Sequence, residues 1–279
     1  MSTKMQDQMF GMLPMLRHEP TEMRIRVGAG ELEIADTTRA ILVWEPRRIV
    51  PSYAVPVADL HGELAASTLP PETAPDRILD PGVPFVAHTS PGEAVDVLVG
   101  DTRFAGAGFR PEDPELEEYV VLDFWAFDRW LGEDERLLAH ARDPYHRVDV
   151  RQSSRTVRLE LDGVVVAESS RPVLVFETSL PTRYYLPRDD VLVELTPTDR
   201  RTACAYKGQA SYFSVAGYTD LAWTYAEPLD GATPLAGLIA FLDDKLEVFI
   251  DGRRRERPHS PAAELFRERF GTKQSDAPN

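Results

Sequence analysis

One cysteine, Cys204, stands in 279 residues. A single thiol excludes an intramolecular disulfide, and it excludes zinc sites that draw several thiolates around one ion. Lysine is nearly as scarce, 4 residues against 27 arginines. That imbalance reads as a GC-rich, bacterial coding genome and carries no mechanism. Positive charge as a whole is in deficit, 31 basic residues against 46 acidic ones, for a net charge of −15. Such a surface repels phosphate backbones and anionic lipid alike, so neither nucleic acid nor membrane is an expected partner. No apolar run reaches the length of a signal-peptide core or a membrane span, and the chain reads as soluble and cytoplasmic. All six methionines fall within the first 23 residues. Residues 1–21 read as a flexible, Met-rich leader.

What the sequence does have is internal repetition. The stretch IADTTRAILVWE (34–45) matches VAESSRPVLVFE (166–177) at an offset of 132. After a one-residue slip, Tyr53, Pro56, Asp59 and Leu60 fall on Tyr184, Pro187, Asp190 and Val191. The run LLAHARDPYHRVDV from Leu137 aligns with LIAFLDDKLEVFI from Leu238 through one gap. Within a copy the pattern is β. Apolar positions alternate on both sides of Asp162-Gly163, a dipeptide suited to a type I′ hairpin turn. Further strands are expected in PVLVFE, YYLP and VLVELT, in the arms around Lys207-Gly208, and in IAF and LEVFI as a pair around Asp243-Asp244. Ser260 as N-cap and Pro261 at the first helical position open one short helix. The expected fold is mainly β: two tandem antiparallel modules and a short C-terminal helix. A first, degenerate module spans 22–150, with a Pro-rich surface loop at 61–94, a second spans 151–257, and helix and tail fill 258–279.

The segments RPVLVFE, PTRYYLP, CAYKGQASYF, LAWTY and IAF, five motifs in order, resemble the domain-of-unknown-function 427 family. The likeness covers the second copy nearly end to end and the first more weakly. It implies a small β-tent fold, similar to that of methionine-R-sulfoxide reductases and of the ligand domain of cereblon, and no settled activity. Many relatives with that fold pin it with a four-cysteine zinc, for which this chain lacks the residues. A nucleotidyltransferase label attached to the family implies Gly-Ser followed by paired aspartates, and this sequence has no such run.

CAYKGQASYF joins the one cysteine to one of the few lysines. With Lys207-Gly208 as a two-residue turn, Cys204 faces Ser211 and shares a sheet face with Tyr206, Ser211 and Phe213, while Lys207 sits apart at the turn tip. Cys204 then reads either as a small buried hydrophobe or as a nucleophile or redox thiol, and Lys207 as a solvated cation, a base or an imine former. Tyr184 and Tyr185 are strand neighbours, so only one faces any given pocket, whereas Trp223 and Tyr225 face the same way. With Tyr206 they make either ordinary sheet core or an aromatic wall for a flat ring or a cationic head. Arg171, Arg183 and Lys207 either pair an anionic group of a ligand or are solvated or tied to Glu177 and Asp190.

His140 and His146 lack a recognised metal-ligand spacing and read as part of a hydrogen-bonded corner at the joint between copies. His18, His61, His88 and His259 read as solvent-facing. The expected function is therefore binding of a small organic ligand, aromatic or cationic, in the second copy, with Cys204 and Lys207 at the site's edge. An enzyme working through Cys204 or Lys207, or a structural adaptor, are the alternatives. No cofactor and no metal are expected, and oligomeric state leaves no mark on the sequence.

Overall fold

Asp162 and Gly163 both take positive φ, 50° and 79°, and turn the chain in two residues so that Leu161 faces Val164. This is the hairpin the dipeptide predicts. The computed structural model describes residues 2–256. The helix expected after Ser260 lies outside the described residues. The chain divides into two compact units, Met1–Asp143 and Pro144–Asn279, and the protein is mainly β. Among the described residues no helix is long and apolar enough to cross a membrane.

The first unit opens with a short helix, α1 (Met5–Gly11), and holds eleven strands. They are β1 (Arg17–Pro20), β2 (Ile25–Ala29), β3 (Leu32–Thr37), β4 (Ile41–Trp44), β5 (Ser52–Pro56), β6 (Glu63–Ala66), β7 (Gly92–Val99), β8 (Thr102–Pro111), β9 (Tyr119–Leu122), β10 (Arg129–Gly132) and β11 (Glu135–Arg136). Among the described residues the second unit holds eleven more: β12 (Val148–Gln152), β13 (Val157–Leu161), β14 (Val164–Ser169), β15 (Val173–Glu177), β16 (Arg183–Leu186), β17 (Thr196–Cys204), β18 (Gly208–Val215), β19 (Tyr218–Pro228), β20 (Ile239–Phe241), β21 (Glu247–Ile250) and β22 (Arg253–Arg254). In the first unit a seven-stranded sheet runs β1-β4-β5-β9-β8-β7-β6 and a four-stranded sheet runs β11-β10-β2-β3. In the second the orders are β12-β15-β16-β20-β19-β18-β17 and β14-β13-β21-β22. Counted from each unit's first strand, the two sets of orders coincide.

Within each unit the inward rows of the two sheets meet in one apolar core. In the first it joins Ile25, Val27 and Trp130 to Leu42, Tyr53, Val95 and Leu122. In the second it joins Val157, Leu159 and Val248 to Leu174, Tyr184, Phe213 and Phe241. Each such side chain, once fully buried, contributes roughly 1.5–3 kcal/mol. Strand alternation sends the intervening residues to the opposite, outer face of the seven-stranded sheet. That face carries a second apolar cluster in each unit.

Several expectations need correction. The supposed leader contains β1, whose residues Arg17–Pro20 pair with β4. An edge strand needs only backbone partners, so RHEP gives no apolar signal. The second unit begins at Pro144 rather than after residue 150, because β12 pairs with β15 as β1 pairs with β4. The run from Leu137 is not the counterpart of Leu238–Ile250. Register assigns that place to residues 119–132: Val120 pairs with Val55 as Ile239 pairs with Leu186, and Trp130 pairs with Val27 as Val248 pairs with Leu159. IAF and LEVFI do not pair around Asp243-Asp244, since β20 and β21 belong to different sheets and a 3₁₀ turn, Asp243–Lys245, carries the chain between them. Of VLVELT, Val191 makes an isolated bridge to Ala167 and Thr196 opens β17 opposite Ser214, while Val191, Val193 and Leu195 pack on the core without a ladder of their own.

Candidate functional site

On β15 the outer row is Val173 and Val175, and Glu177 continues it at the strand end. Its side chain is 7% exposed and lies 2.5 Å from Lys207 Nζ and 3.2 Å from His146 Nε2. Burial alone would raise the Glu177 carboxyl, but the Lys207 ammonium and the His146 hydrogen bond hold it down to about 2. Burial likewise works to lower Lys207, and the attraction of Glu177, with Cys204 and Tyr185 adding to it, outweighs this and raises its pKa. The ammonium form is thus locked in at neutral pH. Tyr206 packs its ring against His146, centroids 4.7 Å apart.

Beside this pair the outer face is lined by rings. Tyr185 is almost wholly buried and accepts a hydrogen bond from Trp223 Nε1–H at 3.2 Å, with the two rings edge to face. Tyr225 lies 6.4 Å from Tyr185, and Tyr212 lies 6.3 Å from Trp223, centroid to centroid. Tyr212 shares a hydrogen bond of 2.9 Å with Thr202, and the Arg200 guanidinium stands over its ring at 4.7 Å. Burial pushes the Tyr185 hydroxyl up to about 12 and that of Tyr225 well above its ordinary value. Cys204, Tyr212 and Trp223 are half-buried in the same cluster.

The hairpin carrying Cys204 differs from expectation. Its loop is three residues, Ala205 to Lys207, because Cys204 pairs with Gly208 and Arg201 with Ser211. Gly208 closes the loop at φ +99°, where a side chain would be strained. An odd change of register reverses which residues share a face. Cys204 therefore lies with Tyr212, while Phe213 points into the intersheet core. Lys207 is not at an outlying tip but folded inward, 8% exposed. A desolvated carboxylate at the end of β15 draws it there, which makes ammonium and thiol neighbours.

The remaining predicted residues divide. Tyr185, Tyr225 and Trp223 come together on the outer face. Tyr184 does not: it faces the intersheet core, under the Arg255 guanidinium at 5.3 Å. Arg183 lies over Trp223 at 5.9 Å but is bound to Asp243 and, at 3.4 Å, to Asp244. Burial, the largest influence on it, lowers its pKa. Arg171 is exposed and reaches Asp190 at 3.4 Å, one of the ties expected for it. The Lys207–Glu177 pair is another of the expected ties, whereas His146 as a second partner of that carboxylate escaped the sequence reading. The available signal was the shared Glu45 and Glu177 of the repeat, since an acid ending an apolar strand in both copies demands a buried partner. No group of three or more His, Cys, Asp and Glu among the described residues could hold a metal ion.

The corresponding face of the first unit is built differently. Register places Ala54 where the second unit has Tyr185, Phe109 for Trp223 and Ala94 for Tyr212. The missing rings are supplied by the Pro-rich segment between β6 and β7. His88 stacks on Phe109 at 3.7 Å with planes 13° apart, its Nδ1–H donates to Glu45 at 3.1 Å, and Phe85 meets it edge-on at 5.0 Å. Arg48 donates to the carbonyls of Val83, Pro84, Phe85 and Ala87. Leu79, Val83 and Ala87 form a small core of their own. The segment expected as a long surface loop is a strapped cover, and His88, expected in solvent, is 11% exposed.

The second unit carries this ring-lined face and also the family likeness. Residues 149–252 match NTP_transf_9, a domain of unknown function (DUF427). The matched segment runs from within β12 through β21 and thus contains Tyr185, Tyr206, Tyr212, Trp223 and Tyr225, together with Glu177, Cys204 and Lys207, while His146 lies just ahead of it. No curated protein matches the chain.

Proposed function

We propose that the outer sheet face of the second unit binds a small organic ligand through a flat ring, with Trp223, Tyr212 and Tyr206 as contact surfaces and Tyr185 and Tyr225 as the rigid floor. The carrying observation is the contrast between units: half-buried rings surround Cys204 in the second, whereas the first folds its own Pro-rich segment over the matching position. Rings on strands are held by packing on both sides, so stacking a ligand on them costs little ordering. The coincident strand orders favour duplication of one β-tent module, with the first copy having closed its site. A lone, part-exposed thiol suits a reducing, cytoplasmic setting.

The test is tryptophan fluorescence on titration with small aromatic compounds. A response lost in Trp223→Ala and kept in Cys204→Ala is the expected result, and a response equally strong without Trp223 removes the proposal. A second reading, a thiol enzyme, draws on the half-buried Cys204 beside the Lys207 ammonium. Stoichiometric labelling of the native thiol at neutral pH supports it, and labelling only after denaturation ends it. Lys207 itself is a poor base, because Glu177 keeps it protonated.

A further inference from the structure

Methionine is confined to one end of this chain, and none occurs after Met23. Met23 packs against the core of the first unit. Met5, Met12 and Met15 do no such work: they are 73%, 46% and 58% exposed, and Met9 is half-buried. The helix that carries Met5 and Met9 buries none of its seven residues. A helix so short, with no buried face, is marginal in water, so this segment calls for a tie of its own.

The backbone sets the four thioethers in a row. Met5 and Met9 are four apart on α1 and share one side of it. Two i, i+3 turns then follow, Met12 N–H donating to the Met9 carbonyl at 3.3 Å and Met15 N–H to the Met12 carbonyl at 3.0 Å. Turns of that kind stack the side chains at i and i+3. The row is anchored to the sheet, because Arg47 N–H donates to the Leu13 carbonyl at 2.6 Å and Leu16 packs against the cluster of Ile41, Val43 and Phe109.

Thioethers in a row are a soft, uncharged donor set. Such sulfur selects Cu(I), whereas zinc is held by thiolate, imidazole or carboxylate, and calcium and magnesium by oxygen. We propose that Met9, Met12 and Met15 bind one Cu(I) ion, with Met5 one turn away. The site is made of methionine, and so differs in kind from the His, Cys, Asp and Glu groupings that the described residues lack. The net charge of −15 favours a cation.

The test uses the full chain with Cys204→Ala, which removes the only thiol, so that any sulfur on copper belongs to methionine. Calorimetric titration without oxygen, with Cu(I) supplied as its acetonitrile complex, should show one equivalent bound. Affinity should be the same at pH 5 and pH 7, because a thioether has no proton to lose, and X-ray absorption should show sulfur around the metal. Met12→Leu, at the middle of the row, keeps size and apolar character. It should weaken binding at least about tenfold, since even the outer-shell partners of a metal are worth about 10–100-fold. Leucine at 9, 12 and 15 together should abolish binding while thermal unfolding stays at the parent temperature. No binding, a copper shell of nitrogen and oxygen only, affinity that falls from pH 7 to pH 5 as an imidazole site would, or a triple variant that binds like the parent each overturns the proposal.

Discussion

Glu45 and Glu177 end equivalent strands and both are desolvated, yet the groups that satisfy them come from different parts of the chain. Glu45 takes His88, Thr89 and Ser90 from the Pro-rich segment, and Arg48 from just beyond its own strand. Glu177 takes Lys207 from a three-residue hairpin loop and His146 from ahead of β12. The rings follow the same division: the first unit's loop lends His88 and Phe85 to a face with Ala54 and Ala94, and the second grows Tyr185 and Tyr212 from its strands. One backbone can thus carry either a sealed face or a ring-lined one, and the choice is made by loop length and by a few small-to-aromatic exchanges.

The sharpest way to break this comparison is Glu177→Ala, which leaves the Lys207 ammonium buried and unpaired. The second unit should lose roughly 3–5 kcal/mol in calorimetric unfolding, and Glu177→Leu combined with Lys207→Met should recover most of it. The pair also fixes the response to pH. The Glu177 carboxyl, at about 2 when folded against 4.5 when free, contributes fully above pH 4.5 and loses that contribution as pH falls toward 2. Lys207 contributes fully below 10.5 and loses it only as pH climbs through its raised folded value. Glu177→Gln should flatten the acid limb of the second unit's stability curve.

Next in size is His88→Ala, which removes both a stacked ring and a bond to Glu45. A loss of about 2–4 kcal/mol from the first unit is expected, with faster proteolysis between Ser67 and Pro91. His146→Ala, whose ring is more exposed, should cost less than half as much. Ala54→Tyr tests whether strand ring and loop ring compete for one volume. It should destabilise the first unit by roughly 1–3 kcal/mol through overpacking and expose the Pro-rich segment to protease, while a silent substitution would show that the two rings occupy separate space. The smallest effect belongs to Cys204→Ala, under about 1 kcal/mol for a half-buried thiol away from any bond.

The hairpin at Asp162-Gly163 and the β character of both copies were legible because turn chemistry and period-2 alternation are local. Trp223 and Tyr225 facing one way followed from the same period. The hairpin at Cys204 was misread by three positions of cross-strand pairing, since Lys207-Gly208 looks like a two-residue turn until Glu177, thirty residues earlier in the chain, pulls the lysine inward. His88 was misread because a histidine among prolines has no periodic signature, and its stacking partner Phe109 lies on another strand.

By itself, the sequence determined that this chain makes two β modules of one pattern and that no multi-thiolate metal site holds either. Those facts reside in composition, in alternation and in repeated runs, all of which are properties of neighbours along the chain. Which tyrosine faces outward, which acid is satisfied by which cation, and which unit covers its own face were decided only by tertiary structure. Burial makes an unpaired charge or donor costly, and the partner that removes the cost is chosen by proximity in space, which no local pattern records.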